Sequence, residues 1–313
     1  MAARAGTARS AGLDSPRLPP DDALPMPSTP ASDDRTRARP AGEALVRPGS
    51  YLLTDLGAPA APGGPRLSLV APVYDEEQSL ERLHARVCEA LDAGTASAAS
   101  AGARGEDWEL ILVDDGSRDG SPAVIRGLCE RDRRVVGVFF ERNCGQTAAM
   151  GAGIRLARGE LIVTLDSDLQ NDPGDVPGML AALGEHDAVC GYRTERHDDW
   201  LRRASSRVAN AIRNAVSGDR IRDTGCSLKV FRAEAIRSIP LFDGMHRFFP
   251  TLLRYHGFSV VEHPVSHYPR LEGHSKYGVG NRAWRALKDL LAVRWMRGRL
   301  IRVPLREVTR RDR

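Results

Sequence analysis

Apolar residues recur through the middle of the chain in two alternating rhythms. Leu67 to Val73 is a short run of Leu, Val and Ala, and the stretch Glu76 to Leu91 behind it has apolar residues at helical spacing. Glu109 to Val113 repeats the strand run and Ser121 to Arg131 the helical one. Val135 to Phe140, Ala148 to Ala157 and Leu161 to Leu165 continue the alternation; Ala188 to Tyr192 reads as a further strand and Trp200 to Val216 as a further helix. Short Val/Ile/Leu-rich strands alternating with amphipathic helices predict an α/β fold with a doubly wound, mostly parallel sheet. In such sheets ligands bind beyond the carboxyl ends of the strands, so chemistry is to be sought where each apolar run stops.

The two ends of the chain break this rhythm. Eleven of the 20 prolines lie between Pro16 and Pro65, and Tyr51 is the only aromatic residue before Tyr74. Such a stretch has too little apolar surface to offset its ordering entropy, so residues 1–65 are expected to form a disordered tail. The formal net charge of +4 over 313 residues hides a division. From Asn281 to Arg313 the net is +8, which leaves −4 for everything before it. The expected organisation is therefore a tail over 1–65, one catalytic domain over 66–280 and a basic C-terminal segment over 281–313. No apolar run approaches the ~20 residues of a membrane span, and no apolar stretch follows Arg4 and Arg9 as in a secretory signal. Cys88, Cys129, Cys144, Cys190 and Cys226 are scattered, with no Cys-x-x-Cys pair, which fits reduced thiols in a cytoplasmic protein. The small charge excess does not call for a nucleic acid partner.

Three strand ends carry acids: Tyr74-Asp-Glu-Glu77, Asp114-Asp-Gly-Ser117 and Asp166-Ser-Asp-Leu-Gln170. Any one acid there could simply cap the next helix. Three on one edge ask for a ligand rich in donors or a metal. Asp166 and Asp168 can converge on one divalent cation, with the Gln170 amide oxygen at the next alternate position; hard cations such as Mg²⁺ take such oxygen sets and share them with substrate phosphates. An EF-hand is excluded because Asn171 occupies the required glycine position. No Gly-x-Gly-x-x-Gly follows the first strand and no Gly-Lys-Ser/Thr loop occurs, which disfavours dinucleotide oxidoreduction and P-loop hydrolysis. Glu76 and Asp115 are placed to accept hydrogen bonds from a nucleoside while a metal takes its diphosphate. That is the layout of an enzyme using a nucleoside-diphosphate sugar.

These residues resemble glycosyltransferase family 2, with its GT-A fold, and within it the polyprenyl-phosphate, dolichyl-phosphate mannose synthase-like transferases. The resemblance runs from about Leu67 to Met296. Besides the three acidic strand ends it is carried by Asn143-Cys-Gly-Gln146, by Asp223-Thr-Gly-Cys-Ser-Leu-Lys-Val-Phe-Arg232 and by Arg270-Leu-Glu-Gly-His-Ser-Lys-Tyr277. It implies that Pro72, Tyr74, Glu76, Asp114 and Asp115 hold the donor nucleotide, and that Asp166, Asp168 and Gln170 bind Mg²⁺ or Mn²⁺. It further implies that Arg270, Ser275 and Lys276 face the donor diphosphate or the acceptor phosphate, joined by Arg203 and Arg207. Asp166, Asp168, Asp223, Arg270 and Lys276 would form the catalytic set. Asp75 departs from the family's usual Asn. Asp223 stands where inverting relatives keep a carboxylate near the acceptor; a lipid monophosphate is already an anion near neutral pH, so this acid could orient arginines instead of taking a proton.

The family's members usually continue into transmembrane helices after the Ser-Lys-Tyr segment. Here Arg282 to Arg302 places Trp284, Leu287, Leu291 and Trp295 at helical spacing among Arg285, Lys288 and Arg299. Such a helix can lie in an anionic membrane interface, giving peripheral attachment to the cytoplasmic face of the plasma membrane, or can bury its Trp and Leu against the domain. The four histidines His246, His263, His267 and His274 show no metal-ligand spacing and receive no ligand role. The expected activity is metal-dependent, inverting transfer of a sugar from a nucleoside-diphosphate sugar to polyprenyl (dolichyl or undecaprenyl) phosphate. A saccharide or protein hydroxyl acceptor, or a non-catalytic scaffold that keeps the fold, are the alternatives. Nothing in the residues decides between a monomer and a homo-oligomer.

Overall fold

The computed structural model describes residues 64–98, 107–194, 218, 221–268 and 279–300. The predicted tail up to residue 63 lies outside these residues, as do the predicted helix over 200–216, the segment around Arg270 to Tyr277, and 301–313. The described elements run β1 (Leu67–Val73), α1 (Leu80–Ala98), β2 (Trp108–Asp114), α2 (Ser121–Arg131), β3 (Val135–Phe139), α3 (Gln146–Leu156) and β4 (Leu161–Thr164). There follow α4 (Val176–Leu183), β5 (Ala188–Arg193), β6 (Lys229–Arg232), α5 (Ala233–Ser238), α6 (Phe249–Tyr255), β7 (Val260–Val265) and α7 (Val279–Arg297). The helix expected from Glu76 starts four residues later, because residues 76–79 are used in a hydrogen-bonded turn in which Ser79 donates back to the Glu76 carbonyl.

The seven strands form one sheet in the order β3-β2-β1-β4-β6-β5-β7. Strands β1 to β4 pair in parallel, as do β5 and β7, while β6 runs antiparallel to both β4 and β5. The α/β class, mostly parallel sheet and strands β1 to β5 thus match the sequence pattern; β6 and β7 are too mixed in polarity to stand out from it.

Both faces of the sheet are covered, which explains why its strands read as near-continuous apolar runs. Leu69, Ala71, Val73, Leu110, Leu112 and Val163 point to the layer of α1 and α4. Val70, Ile111, Val113 and Ile162 alternate with them and point to the layer of α3, α5 and α6. Strand polarity also has local reasons. The buried Glu109 carboxylate accepts from Ser68 Oγ at 2.7 Å, from the Arg158 backbone amide at 2.7 Å and from Arg158 Nε at 2.9 Å, closing the edge of the sheet opposite the acidic strand ends. At the same edge the Arg134 guanidinium stacks 3.9 Å from the Trp108 ring centroid while bonding Asp92 and Asp132.

Helix α7 divides its apolar residues between two faces. Leu290 and Val293 are buried among α6 and β7 residues, whereas Leu287, Leu291 and Trp295 are 41 %, 53 % and 64 % exposed. The expectation that the Leu and Trp stripe could pack on the domain is corrected for these three, since the residues one turn-face away make that contact.

Close approach fixes α3 on the sheet. A Cβ on Gly153 would collide with Val70 Cγ1 and sit 3.3 Å from Val113 Cγ2. Gly153→Ala is expected to overpack this contact and cost about 1–3 kcal/mol, read as a lower urea midpoint at unchanged slope.

Candidate active site

The carboxyl ends of β1, β2 and β4 lie side by side, because these strands are neighbours and parallel. The loops after β1 and β2 are stitched together. The Asp75 amide donates to Ser117 Oγ at 2.9 Å and its carboxylate accepts the Arg118 amide at 2.7 Å. The Glu76 amide donates to Ser121 Oγ at 2.9 Å, the Glu77 amide to Asp119 at 3.1 Å, and the Gly120 amide returns to Glu77 at 2.9 Å. Asp75 adopts a φ of 51°, a left-handed conformation that Asn and Asp tolerate better than most side chains, so the acid found where the family usually has Asn retains that backbone role. Gly116 follows Asp115 at φ 70°, and a Cβ there would lie 2.5 Å from the Arg142 carbonyl carbon; only glycine fits.

Asp115 is buried and joins this pair of loops to α3. Its Oδ1 accepts the Cys144 amide at 2.6 Å, and its Oδ2 accepts the Gly145 amide at 2.9 Å. Burial raises its pKa above the ordinary carboxylate range, while the two amides pull the other way. Gly145 is the cap of α3, so the carboxylate sits against the positive end of the helix. The next residue, Gln146, extends Nε2 to Asp166 Oδ1 at 2.8 Å. The following one, Thr147, bonds His246 Nδ1 at 2.6 Å and accepts the Gly244 amide at 3.0 Å.

Past β4, Asp166 and Asp168 flank the buried Ser167, whose hydroxyl donates to the Pro72 carbonyl at 2.9 Å and so docks this loop on the end of β1. Asp168 Oδ1 accepts the Gln170 amide at 3.1 Å, around a left-handed Leu169 at φ 58°. Both acids are partly exposed, unlike the buried Asp114 and Asp115. Asp223 is buried and gripped by Arg193, with Nε to Oδ2 at 2.7 Å and a terminal nitrogen to Oδ1 at 3.0 Å, a bidentate fork that holds the carboxylate as an anion.

The structure thus brings Pro72, Tyr74, Glu76, Asp114, Asp115, Asp166, Asp168 and Gln170 to the ends of three adjacent strands, and places Asp223 two strands away at the end of β5. Arg203, Arg207, Arg270, Ser275 and Lys276 lie outside the described residues. Arg193, Gln146 and the buried Lys229, which donates to the Cys226 carbonyl, carried no assignment in the sequence reading. Gln146 and Lys229 stand inside quoted motifs, so the signal was present there; Arg193 had none.

The profile described as Glycosyl transferase family 2 matches residues 68–239, more than half of the chain. This chain belongs to glycosyl transferase family 2. Among its family relatives, dodecaprenyl-phosphate galacturonate synthase of Rhizobium johnstonii is 42 % identical over 233 residues, covering 72 % of this chain and 66 % of that protein. Undecaprenyl-phosphate 4-deoxy-4-formamido-L-arabinose transferase of Edwardsiella ictaluri is 36 % identical over 215 residues, covering 68 % and 63 %. The chain therefore matches just under two thirds of the length of these relatives. Among solved structures, the mannosyltransferase PcManGT of Pyrobaculum calidifontis, in complex with GDP-Man and Mn²⁺, aligns at a TM-score of 0.52 and 20 % identity over 77 % of this chain and 66 % of that one. Glucosyl-3-phosphoglycerate synthase of Mycobacterium tuberculosis, with Mn²⁺, UDP and phosphoglyceric acid, aligns at 0.51 and 19 % over 81 % and 84 %. At these identities the two establish the GT-A fold.

In this family 2 chain the contact between α3 and His246 makes stability depend on pH. Burial first, then Arg247 and Lys229, lower the His246 pKa to about 3, so the ring is neutral where its Nδ1 pairs with the Thr147 hydroxyl. A folded pKa below the unfolded value of about 6.5 means the folded state binds fewer protons between the two. The stabilisation is complete above about pH 6.5 and is lost as pH falls towards 3. His246→Gln, which cannot titrate, should flatten the pH dependence of unfolding free energy between pH 6.5 and 4 by up to about one proton, measured by urea titration at each pH.

Proposed function

We propose that this chain is a metal-dependent inverting glycosyltransferase that moves a sugar from a nucleoside-diphosphate sugar to a polyprenyl phosphate. The observation that carries the reading is the adjacency of three acidic strand ends, where Asp114 and Asp115 are buried while Asp166 and Asp168 are partly exposed two residues apart on one loop. The names of the two family relatives support the lipid phosphate as acceptor. The donor set fits a hard divalent cation: two carboxylates and the Gln170 amide oxygen within five residues, on a loop fixed at both ends by Ser167 and Gln170. Asp166, Asp168 and Gln170 would hold Mg²⁺ or Mn²⁺, and when bound the ion offsets charge on the departing diphosphate.

The remaining chemistry suits the groups present. A phosphate oxygen of the acceptor forms the new bond to the anomeric carbon as the bond to the diphosphate breaks, a single displacement that inverts configuration. With a second pKa near 6 the acceptor is already anionic, so no base is required. Asp223 fits that demand, because its oxygens hold Arg193 and the Gly225 amide at 3.1 Å in place of a substrate proton. Asp223 thereby positions the Arg193 guanidinium at the end of β5, on the edge where the acceptor phosphate would bind.

Helix α7 supports a position at an anionic membrane surface. Its exposed Leu287, Leu291 and Trp295 share a face at four-residue spacing, with Lys288, Arg294 and Arg299 alongside. Among the described residues no helix is long and apolar enough to cross a membrane.

Incubating the protein with labelled UDP- or GDP-sugars, Mn²⁺ and polyprenyl phosphate should move label into the organic phase; label recovered only in water-soluble product with every donor would reject the lipid phosphate. Asp168→Asn, folded by circular dichroism, is expected to lower turnover roughly a thousandfold, a loss of about 4 kcal/mol of transition-state stabilisation. The protein should co-sediment with anionic vesicles at low salt and less at high salt, and Leu291→Ser with Trp295→Ser should weaken this at least tenfold. Binding indifferent to lipid charge would overturn the membrane reading.

A further inference from the structure

A second convergence of ligating side chains lies between α1 and the end of α2, where β3 begins. His84 and Cys88 are four residues apart on α1 and therefore share one face of the helix. Asp132 is the C-cap of α2; its backbone amide donates to the Leu128 carbonyl at 2.9 Å, and its Oδ1 accepts the Arg134 amide at 2.9 Å. Two separate elements thus deliver the three side chains to one point. His84 Nε2 lies 2.9 Å from Asp132 Oδ2 and 3.5 Å from Cys88 Sγ, and all three donor atoms fall within 4.8 Å of one another. Among the described residues no other three His, Cys, Asp or Glu side chains bring one ligating atom each this close. The cluster is half-buried, with the His84 and Asp132 side chains 19 % and 13 % exposed.

Which atoms meet separates two uses of such a trio. In a catalytic relay the histidine contacts the nucleophile through one ring nitrogen and the carboxylate through the other. Here the same atom, Nε2, faces both the thiol and the carboxylate, so no proton path runs through the ring. One nitrogen facing a sulfur and an oxygen is instead the arrangement of donors around a shared ion. Around a tetrahedral Zn²⁺, with bonds of about 2.3 Å to sulfur and about 2.0 Å to nitrogen, those two ligands sit about 3.5 Å apart. That is the separation of Cys88 Sγ and His84 Nε2. The 2.9 Å between Nε2 and Oδ2 is that of a hydrogen bond, and it need open by only about half an ångström to hold an ion in place of the proton.

The charges nearby fit the same use. Arg134 reaches the cluster, with Nη2 2.9 Å from Asp132 Oδ2 and 3.6 Å from Cys88 Sγ. It has other anchors: Nη1 bonds Asp92 at 2.8 Å, Nε bonds Asp132 Oδ1 at 3.0 Å, and the guanidinium stacks on Trp108. Oδ2 can therefore pass to an ion while Oδ1 keeps Arg134, which becomes the partner that orients the carboxylate ligand. With the thiol ionised, Cys88, Asp92 and Asp132 bring three negative charges against the one positive charge of Arg134, an excess that one divalent ion cancels.

We propose that His84 Nε2, Cys88 Sγ and Asp132 Oδ2 form a Zn²⁺ site, with water at the fourth position, that bridges α1 and the turn between α2 and β3. On binding, the Cys88 thiol gives its proton to water and the ring keeps its one proton on Nδ1. Sulfur and nitrogen donors suit Zn²⁺ and disfavour Mg²⁺ and Ca²⁺, which take oxygen. The site thus differs in chemistry from the carboxylate and amide set of Asp166, Asp168 and Gln170, and does not depend on what that set binds.

Co²⁺, a coloured stand-in for Zn²⁺, added to the reduced full chain tests this. It should give thiolate-to-metal charge-transfer absorption in the near ultraviolet together with the strong visible bands of a four-coordinate ion, and Zn²⁺ should displace it. Asp168→Asn should leave that spectrum unchanged. Cys88→Ser, close in size to the native side chain, should abolish the charge-transfer band. His84→Gln should keep the thiol but weaken Zn²⁺ binding at least about tenfold, measured by competition with a chromophoric chelator, since losing even a group behind a ligand costs that much; it guards against a folding defect in the serine variant. A wild type that shows no charge-transfer band at saturating Co²⁺, a band that survives in Cys88→Ser, or a Zn²⁺ affinity unmoved by His84→Gln overturns the site.

Discussion

The buried carboxylate of Asp115 is the joint on which the catalytic edge depends. A charge this deep is costly unless it is fully hydrogen-bonded, and the donors it finds are the backbone amides of Cys144 and Gly145 at the positive end of α3. The bond works in both directions. The helix end stabilises the carboxylate, and the carboxylate fixes the start of α3 to the end of β2. Because Gln146 and Thr147 are the first two residues of that helix, their side chains inherit its position, one reaching Asp166 and the other His246. Displacing Asp115 would therefore be felt at two places that share no direct contact with it.

The acids of this edge divide by the partners they hold. Asp75, Glu77, Asp115 and Asp119 each accept backbone amides from a neighbouring loop, and Asp223 holds a guanidinium. These interactions determine loop shape, and their desolvation is offset locally. Asp166 accepts a side-chain amide, that of Gln146, which can be exchanged for a ligand without unfolding a loop. Leu169, left-handed at φ 58°, stores strain of about 1–3 kcal/mol in the same loop, a cost that persists where the surrounding bonds over-determine the backbone. The bonds doing so here are those from Ser167 to Pro72 and from Gln170 to Asp168 and Tyr268.

Legibility in the sequence followed range. Strands β1 to β5 and helix α2 were readable because a two-sided core makes each strand a nearly unbroken apolar run, and because Gly120 and Pro122 punctuate the start of α2. The acids were readable because a parallel sheet delivers every strand end to one edge. Arg193 was not, since its partner Asp223 is 30 residues away and nothing local marks the pair. The antiparallel bridge between Asn171 and His267 was not, because an isolated bridge leaves no periodic trace. The start of α1 was misplaced for a different reason. Glu76 and Glu77 favour helices in isolation, but here their amides are taken by Ser121 and Asp119, so tertiary bonding overrides propensity.

The two faces of α7 follow from the same accounting of what each side chain can bury. A helix that must dock needs only a narrow apolar stripe, and Leu290 and Val293 with Met296 provide it. Leu287, Leu291 and Trp295 are therefore surplus to folding, and leaving them in water is unfavourable by roughly 1.5–3 kcal/mol per fully buried equivalent. Of the cations near them, Arg297 lies 5.6 Å from the ring centroid of the buried Tyr255 and so packs on the core, whereas Arg299 lies 5.6 Å from that of the exposed Trp295. A bilayer that holds an acceptor with a long apolar tail and an anionic head would meet the apolar stripe and the cations beside it at once. Placing them on the outer face of the helix, with the docking stripe opposite, would let the domain meet such a surface without using any residue that holds the sheet together.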